Sequence, residues 1–174
     1  MQMKRFRLVL AVVASTVAIS LTPLTAVAAT TTKYHDSVGG VEVYATSTEG
    51  RFTGQASGNL PGFWYADVIH AQLSSTAAAT ISGGAFDLST TLNNQPTLVT
   101  GQFSGGTVKQ TGGFSDCTNQ TYSVDGTLSK VGVYGRPDRG KGTFMATLTH
   151  YRVSIHGYCL IYAASIAGWV TLNF

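Results

Sequence analysis

Near the C-terminal end of this chain, His150, Arg152 and His156 fall within one short stretch. An imidazole exchanges protons near neutral pH, and a guanidinium grips an anion through paired N–H groups. His150 and Arg152 are two residues apart, so on a β-strand they share a face, and that face runs back through Leu148, Ala146 and Phe144. A polar pair ending an apolar stripe suits the mouth of a barrel whose lumen is greasy. His70 shares a strand face with Trp64 and Val68 and joins the same set, as does Asp67 beside Tyr65. His150 and Arg152 are therefore the candidate catalytic residues. Trp64, His70, Phe144, Leu148, His150 and Arg152 are the candidate ligand-binding set. The plainer reading competes: strand ends beside turns are wet, and a His or Arg there needs no chemistry.

Other chemistry finds less support. The chain contains no G-x-S-x-G, H-E-x-x-H, C-x-x-C or phosphate-binding glycine loop. His150 and His156 are separated by a turn, and no carboxylate lies in that hairpin to complete a metal site, so neither metal nor cofactor is expected. Trp64, Tyr65, Tyr122, Tyr158, Tyr162 and Trp169 could line a pocket for a flat apolar ligand, or be core.

The elements that would carry these residues are strands. From Gly140 to Phe174 two long β-type runs flank a turn at Ile155-His156-Gly157. The second run is apolar on both faces, with Tyr158, Leu160, Tyr162 and Ile166 on one and Ile161, Ala163 and Trp169 on the other. Such a strand is expected to be covered on both sides, inside a closed or doubly packed sheet.

Upstream, Lys4, Arg5 and Arg7 precede an apolar run from Leu8 to Leu21 and the small residues Ala26-Val27-Ala28. That order reads as a secretory signal peptide over residues 1–28, cleaved near Ala28. The run is too short and too diluted by Ser, Thr and Pro23 for a spanning helix, so no stable membrane anchor is expected after cleavage. Three of the 11 Lys and Arg residues lie in that leader, and the remaining eight balance eight Asp and Glu. With no basic patch left, nucleic acid is excluded as a partner. In the oxidising space outside the cell the only two cysteines, Cys117 and Cys159, are expected to pair. The loop they close would add about 4 kcal/mol by the chain-entropy model. Asn119-Gln120-Thr121 fits the N-glycosylation pattern, an unspecific signal.

Residues 29–38 read as a flexible Thr-rich leader and 39–174 as one β domain. Val41, Val43 and Ala45 line one side of the first strand, and a third strand runs from Phe63 to Leu73 past the turn Asn59-Leu60-Pro61-Gly62. Ile81-Ser82-Gly83-Gly84 and Phe103-Ser104-Gly105-Gly106 share a pattern whose paired glycines are either hairpin tips or sharp bends; the strand residues flanking both closely favour bends. About eight strands joined by short turns give an all-β fold. An antiparallel barrel is favoured by the glycine bends, with a β-sandwich as the alternative.

Gly142-Thr143-Phe144, with Gly101-Gln102-Phe103 beside Ser104-Gly105-Gly106, resembles the strands of the dirigent and allene oxide cyclase type of secreted barrel. The resemblance implies an eight-stranded barrel, often oligomeric, whose lumen steers cyclisation or coupling of an apolar substrate. None of that family's lumen acids, amides or tyrosines is matched here, so it assigns no catalytic residue. The lipocalin Gly-x-Trp signature near the first strand is absent; Trp64 follows Gly62-Phe63 after two earlier strands.

Three functions follow as expectations. The first is a secreted barrel binding a small apolar or aromatic molecule in its lumen. The second is a barrel isomerase or cyclase with His150 and Arg152 at the mouth. The third is a non-catalytic envelope or extracellular structural protein with a solid barrel. A homo-oligomer is compatible with each.

Overall fold

The computed structural model describes residues 31–136 and 139–174. The expected signal peptide, over residues 1–28, lies outside the described residues. Eight strands follow in order: β1 (Lys33–Ala45), β2 (Glu49–Gly58), β3 (Gly62–His70), β4 (Ala79–Leu92), β5 (Gln95–Gly112), β6 (Gln120–Val133), β7 (Gly140–Ile155) and β8 (Tyr158–Asn173). Each pairs antiparallel with the next, and β8 returns to β1, closing the barrel. The all-β, barrel and disulfide expectations hold, with Cys117 bonded to Cys159.

Alternation makes the wall. On β7, Phe144, Ala146, Leu148 and His150 are buried, while Lys141, Thr143, Met145 and Thr147 face out. Two-residue turns set the register: Asn93-Asn94 and His156-Gly157 all adopt positive φ, the geometry that matches the twist of a tight hairpin. The paired glycines act as bends inside β4 and β5. Gly84 (φ 125°) and Gly106 (φ 121°) lie so close to the carbonyls of Asp67 and Asp125 that a Cβ would overlap them. Between Thr80↔Thr107 and Ala85↔Gln102 the β4–β5 ladder lapses, and there the sheet turns its corner.

The interior is filled. Phe144 sits among Trp64, Phe86 and Phe103, with ring centroids 5.7, 6.2 and 5.9 Å away. The Trp64 indole donates to the carbonyls of Gly39 and Gln55, both at 3.2 Å, so its polar edge is satisfied while the ring is buried. At the end where the first and last strands meet, Leu60 from the β2–β3 turn is buried, its N–H donating to Asp36 Oδ1 at 2.7 Å. Tyr34 stacks on Phe174 beside it.

Two expectations need correction. The leader expected over residues 29–38 is strand from Lys33 onward, because β1 is held by β2 on one edge and β8 on the other. Val41 and Val43 share a side, as expected, and it is the solvent side; Glu42 between them points inward, so the lumen face runs through Asp36, Val38 and Glu42. The last strand is not covered on both sides. Ile161 is 53 % exposed and Tyr162 68 %, whereas Ile166, Val170 and Leu172 are buried in the wall.

The reason is length. β1 pairs with β8 only as far as Val41↔Ser165, and β6 pairs with β7 only as far as Gln120↔His150. The β7–β8 hairpin continues beyond both neighbours as a two-stranded arm, through Arg152↔Ile161, Val153↔Leu160, Ser154↔Cys159 and Ile155↔Tyr158. A bulge at Tyr151/Arg152 leaves Tyr162 without a partner and swaps the faces of β8 beyond it. Arg152, Ser154, Cys159 and Ile161 then share the lumen-side face. Val153, Ile155, Tyr158 and Leu160 share the outer one.

Candidate functional site at the mouth of the barrel

Polar side chains gather inside the barrel at the end from which the arm projects. His150 on β7 and Glu42 on β1 meet there, Nε2 to Oε2 at 2.7 Å, with side chains only 10 % and 8 % exposed. With Glu42 as the carboxylate, the Nε2–H of His150 is the donor and Glu42 Oε2 the acceptor. His150 Nδ1 is buried with no partner. The Tyr122 ring lies 5.3 Å from the imidazole, and its hydroxyl donates to Gln120 Oε1 at 3.2 Å. Burial pushes the Tyr122 phenol up from its ordinary range; the Arg152 charge opposes this and Glu42 adds to it. His70, at the end of β3, donates Nδ1–H to the Ala71 carbonyl at 2.7 Å, which fixes the ring where the strand gives way to loop.

Glu42, His70 and His150 border a void of about 30 Å³, lined also by Phe52, Val68 and Leu148 among others. That is room for water and no more, since one water needs roughly 10–15 Å³ of such space.

Of the expected ligand-binding set, His70, Leu148 and His150 do come together on this void. Arg152 stands above it at the base of the arm, its backbone N–H donating to Asn119 Oδ1 at 3.1 Å. That bond occupies the acceptor of the residue that would carry a glycan. Trp64 and Phe144 lie deeper, in the packed aromatic layer, and do not border the void. Asp67 is on the outer face of β3, away from the lumen. Sequence reasoning missed Glu42, Gln120 and the role of Tyr122. A buried histidine calls for a carboxylate, but nothing local to His150 says that it comes from 108 residues upstream.

Outside the mouth, the wall splits. Val43, Tyr44 and Ala45 at the end of β1 diverge from Ile161, Tyr162 and Ala163 on β8, leaving an open cleft. The Tyr44 ring is covered by the Arg51 guanidinium at 4.7 Å, and Arg51 donates to Glu49 at 2.6 Å. The arm itself is braced by Cys117–Cys159, which ties its lumen-side face to the β5–β6 loop and leaves the outer face bare.

Beside this cluster Asp67 has one buried carboxylate oxygen without a partner. Burial raises its pKa, the Glu49 charge adds to the shift, and Arg51 opposes it. A carboxyl raised in the folded state stabilises the fold at low pH, and that contribution is lost as pH climbs from the unfolded value through the raised one. Asp67→Asn is therefore expected to melt higher than the unsubstituted chain at pH 7, with the gap closing on acidification. Thermal melts at neutral and acid pH measure it, and a gap that stayed constant would rule out titration of Asp67 as its source.

Compared with protein-family models, curated proteins and solved structures, the chain finds no match.

Proposed function

We propose that the chain is a secreted, disulfide-closed barrel that works through its outer surface, as an extracellular structural protein. The observation that carries this reading is the solid interior. Pockets for small molecules run to roughly 300–1,000 Å³, against the 30 Å³ void that His70 and His150 border. The middle of the lumen is occupied by Trp64, Phe86, Phe103 and Phe144. Apolar side chains left over are outside; those on the arm and the neighbouring end of β1 lie together, while Phe63, Phe114, Tyr134, Met145 and Trp169 are exposed elsewhere on the surface.

The test is a fluorescence titration. In a Trp169→Phe variant the emission reports buried Trp64 alone, as Trp64 and Trp169 are the two tryptophans. A panel of fatty acids and planar aromatics is expected to leave it unchanged. A saturable shift that disappears when Leu148→Phe fills the void would establish lumen binding instead and overturn the reading.

One observation favours a second reading, proton transfer at the mouth. His150 Nδ1 is buried without a partner next to a void shared with Glu42 and His70. An isomerase or cyclase of the resembled barrel type would use Glu42 and His150 as a proton-exchanging pair and Arg152 to hold an anionic group. Full turnover of an apolar test substrate by a His150→Ala/Arg152→Ala double variant would remove those residues from the chemistry.

A further inference from the structure

We infer that the arm is a self-association edge: two copies of this chain join β8 to β8 across a twofold axis, centred near Leu160. The inference rests on the outer-surface reading above and names its partner.

Two independent features meet on the arm. One is an open strand edge. Among the described residues Tyr158 to Ala164 pair only with β7, since the β1 ladder stops at Ser165. The N–H and C=O groups on the far side of that segment are left for water or another strand. The other feature is the apolar outer face. Tyr44 is 45 % exposed, Val153 37 %, Ile155 46 %, Tyr158 74 %, Leu160 49 % and Tyr162 68 %. With fully exposed side chains of this kind presenting about 150–250 Å² each, these contribute about 600 Å². Val41 and Val43 alongside bring the patch to about 800 Å². A monomer usually shows less.

The combination decides the occupant. A bilayer would cover the apolar side chains, but it would strip water from the open edge and offer its backbone groups no partner. A globular partner with a flat greasy face leaves the same groups unmet. A second strand pairs with the open edge and sets its own apolar side chains beside Tyr158, Leu160 and Tyr162, and the strand always present at equal concentration is the same segment of another copy. A twofold axis across two edge strands makes them antiparallel and the interface self-complementary. Leu160 then faces Leu160 of the second copy, and Tyr158 faces its Tyr162. Such aromatic and aliphatic cross-strand pairs are the usual unit of sheet stabilisation. The disulfide at Cys159, next to the central residue, holds the edge in place before association.

The experiment is sedimentation of the mature, disulfide-intact chain over a micromolar concentration series, alone and as Leu160→Lys. The expected result is a concentration-dependent dimer that Leu160→Lys converts to monomer without changing the far-ultraviolet circular dichroism. Hydrogen exchange should also slow at Tyr158–Tyr162 as the dimer forms. A wild-type chain that stays monomeric across the series overturns the proposal, whether or not it floats with phosphatidylcholine vesicles. So does a dimer that survives Leu160→Lys, or one whose formation leaves exchange at Tyr158–Tyr162 unchanged. Each of these failures leaves the Trp64 titration result standing, so the two readings fail separately.

Discussion

Phe144→Ala is expected to lower the free energy of unfolding by about 3–5 kcal/mol, the range for truncating a large aromatic in a close-packed core. Phe144 is fully buried and touches three other aromatics around the barrel, so its removal leaves a void lined on every side by strands that hydrogen bonds hold in place. A closed barrel has no edge to draw inward, and collapse into the hole should be slight. Against a typical total of about 5–15 kcal/mol this leaves a weakened but folded protein. Guanidinium unfolding should show a lower midpoint at an unchanged slope. The same void is apolar and should admit benzene, which the unsubstituted chain excludes. A loss below about 1 kcal/mol would mean that the aromatic layer is loosely filled, contrary to the packing described here.

The second large effect concerns the pair at the mouth. His150→Leu leaves the Glu42 carboxylate buried without its partner and is expected to cost about 3–5 kcal/mol. Glu42→Leu leaves an imidazole with unmet nitrogens, a smaller penalty of about 1–3 kcal/mol. Glu42→Leu/His150→Leu removes both polar groups together and should return to within about 1 kcal/mol of the starting stability, because an apolar pair of similar volume replaces a desolvated polar one. The non-additivity identifies the interaction. Losses that simply sum would mean that the two side chains act independently, despite their 2.7 Å contact.

Much of this architecture could be read from residue order, for physical reasons that differ from place to place. The two faces of β7 were legible because Phe144, Ala146 and Leu148 alternate with Thr143 and Thr147, and the structure supplies which of them looks inward. The bends at Gly83-Gly84 and Gly105-Gly106 were legible because strand residues flank both pairs. The turn at His156-Gly157 was legible from its glycine and from the runs on either side. Cys117 and Cys159 had only each other.

What escaped did so because it depends on strand lengths. Tyr158 to Ala163 look like wall, and would be wall, had β1 run a few residues further beside them. The unpaired Tyr162 exchanges the faces of β8 midway, which no count of alternating residues anticipates. Glu42 sits between two valines on a strand with no clear apolar stripe, and its partner arrives from the opposite end of the chain. A long-range polar contact leaves no periodic trace.

The seam between the first and last strands has one more consequence, for the order of assembly. Seven of the eight neighbour pairs join consecutive strands, and each can zip as a local hairpin. The eighth brings Lys33 to Asn173, and Thr32 and Phe174 exchange backbone hydrogen bonds of 3.0 and 3.2 Å. Ring closure of that span is the most distant contact in the domain, and distant contacts are made slowly. Until it forms, the molecule is a curled ribbon with both margins bare. Whatever retains the final segment, a ribosome or a translocation pore, keeps the cylinder from shutting.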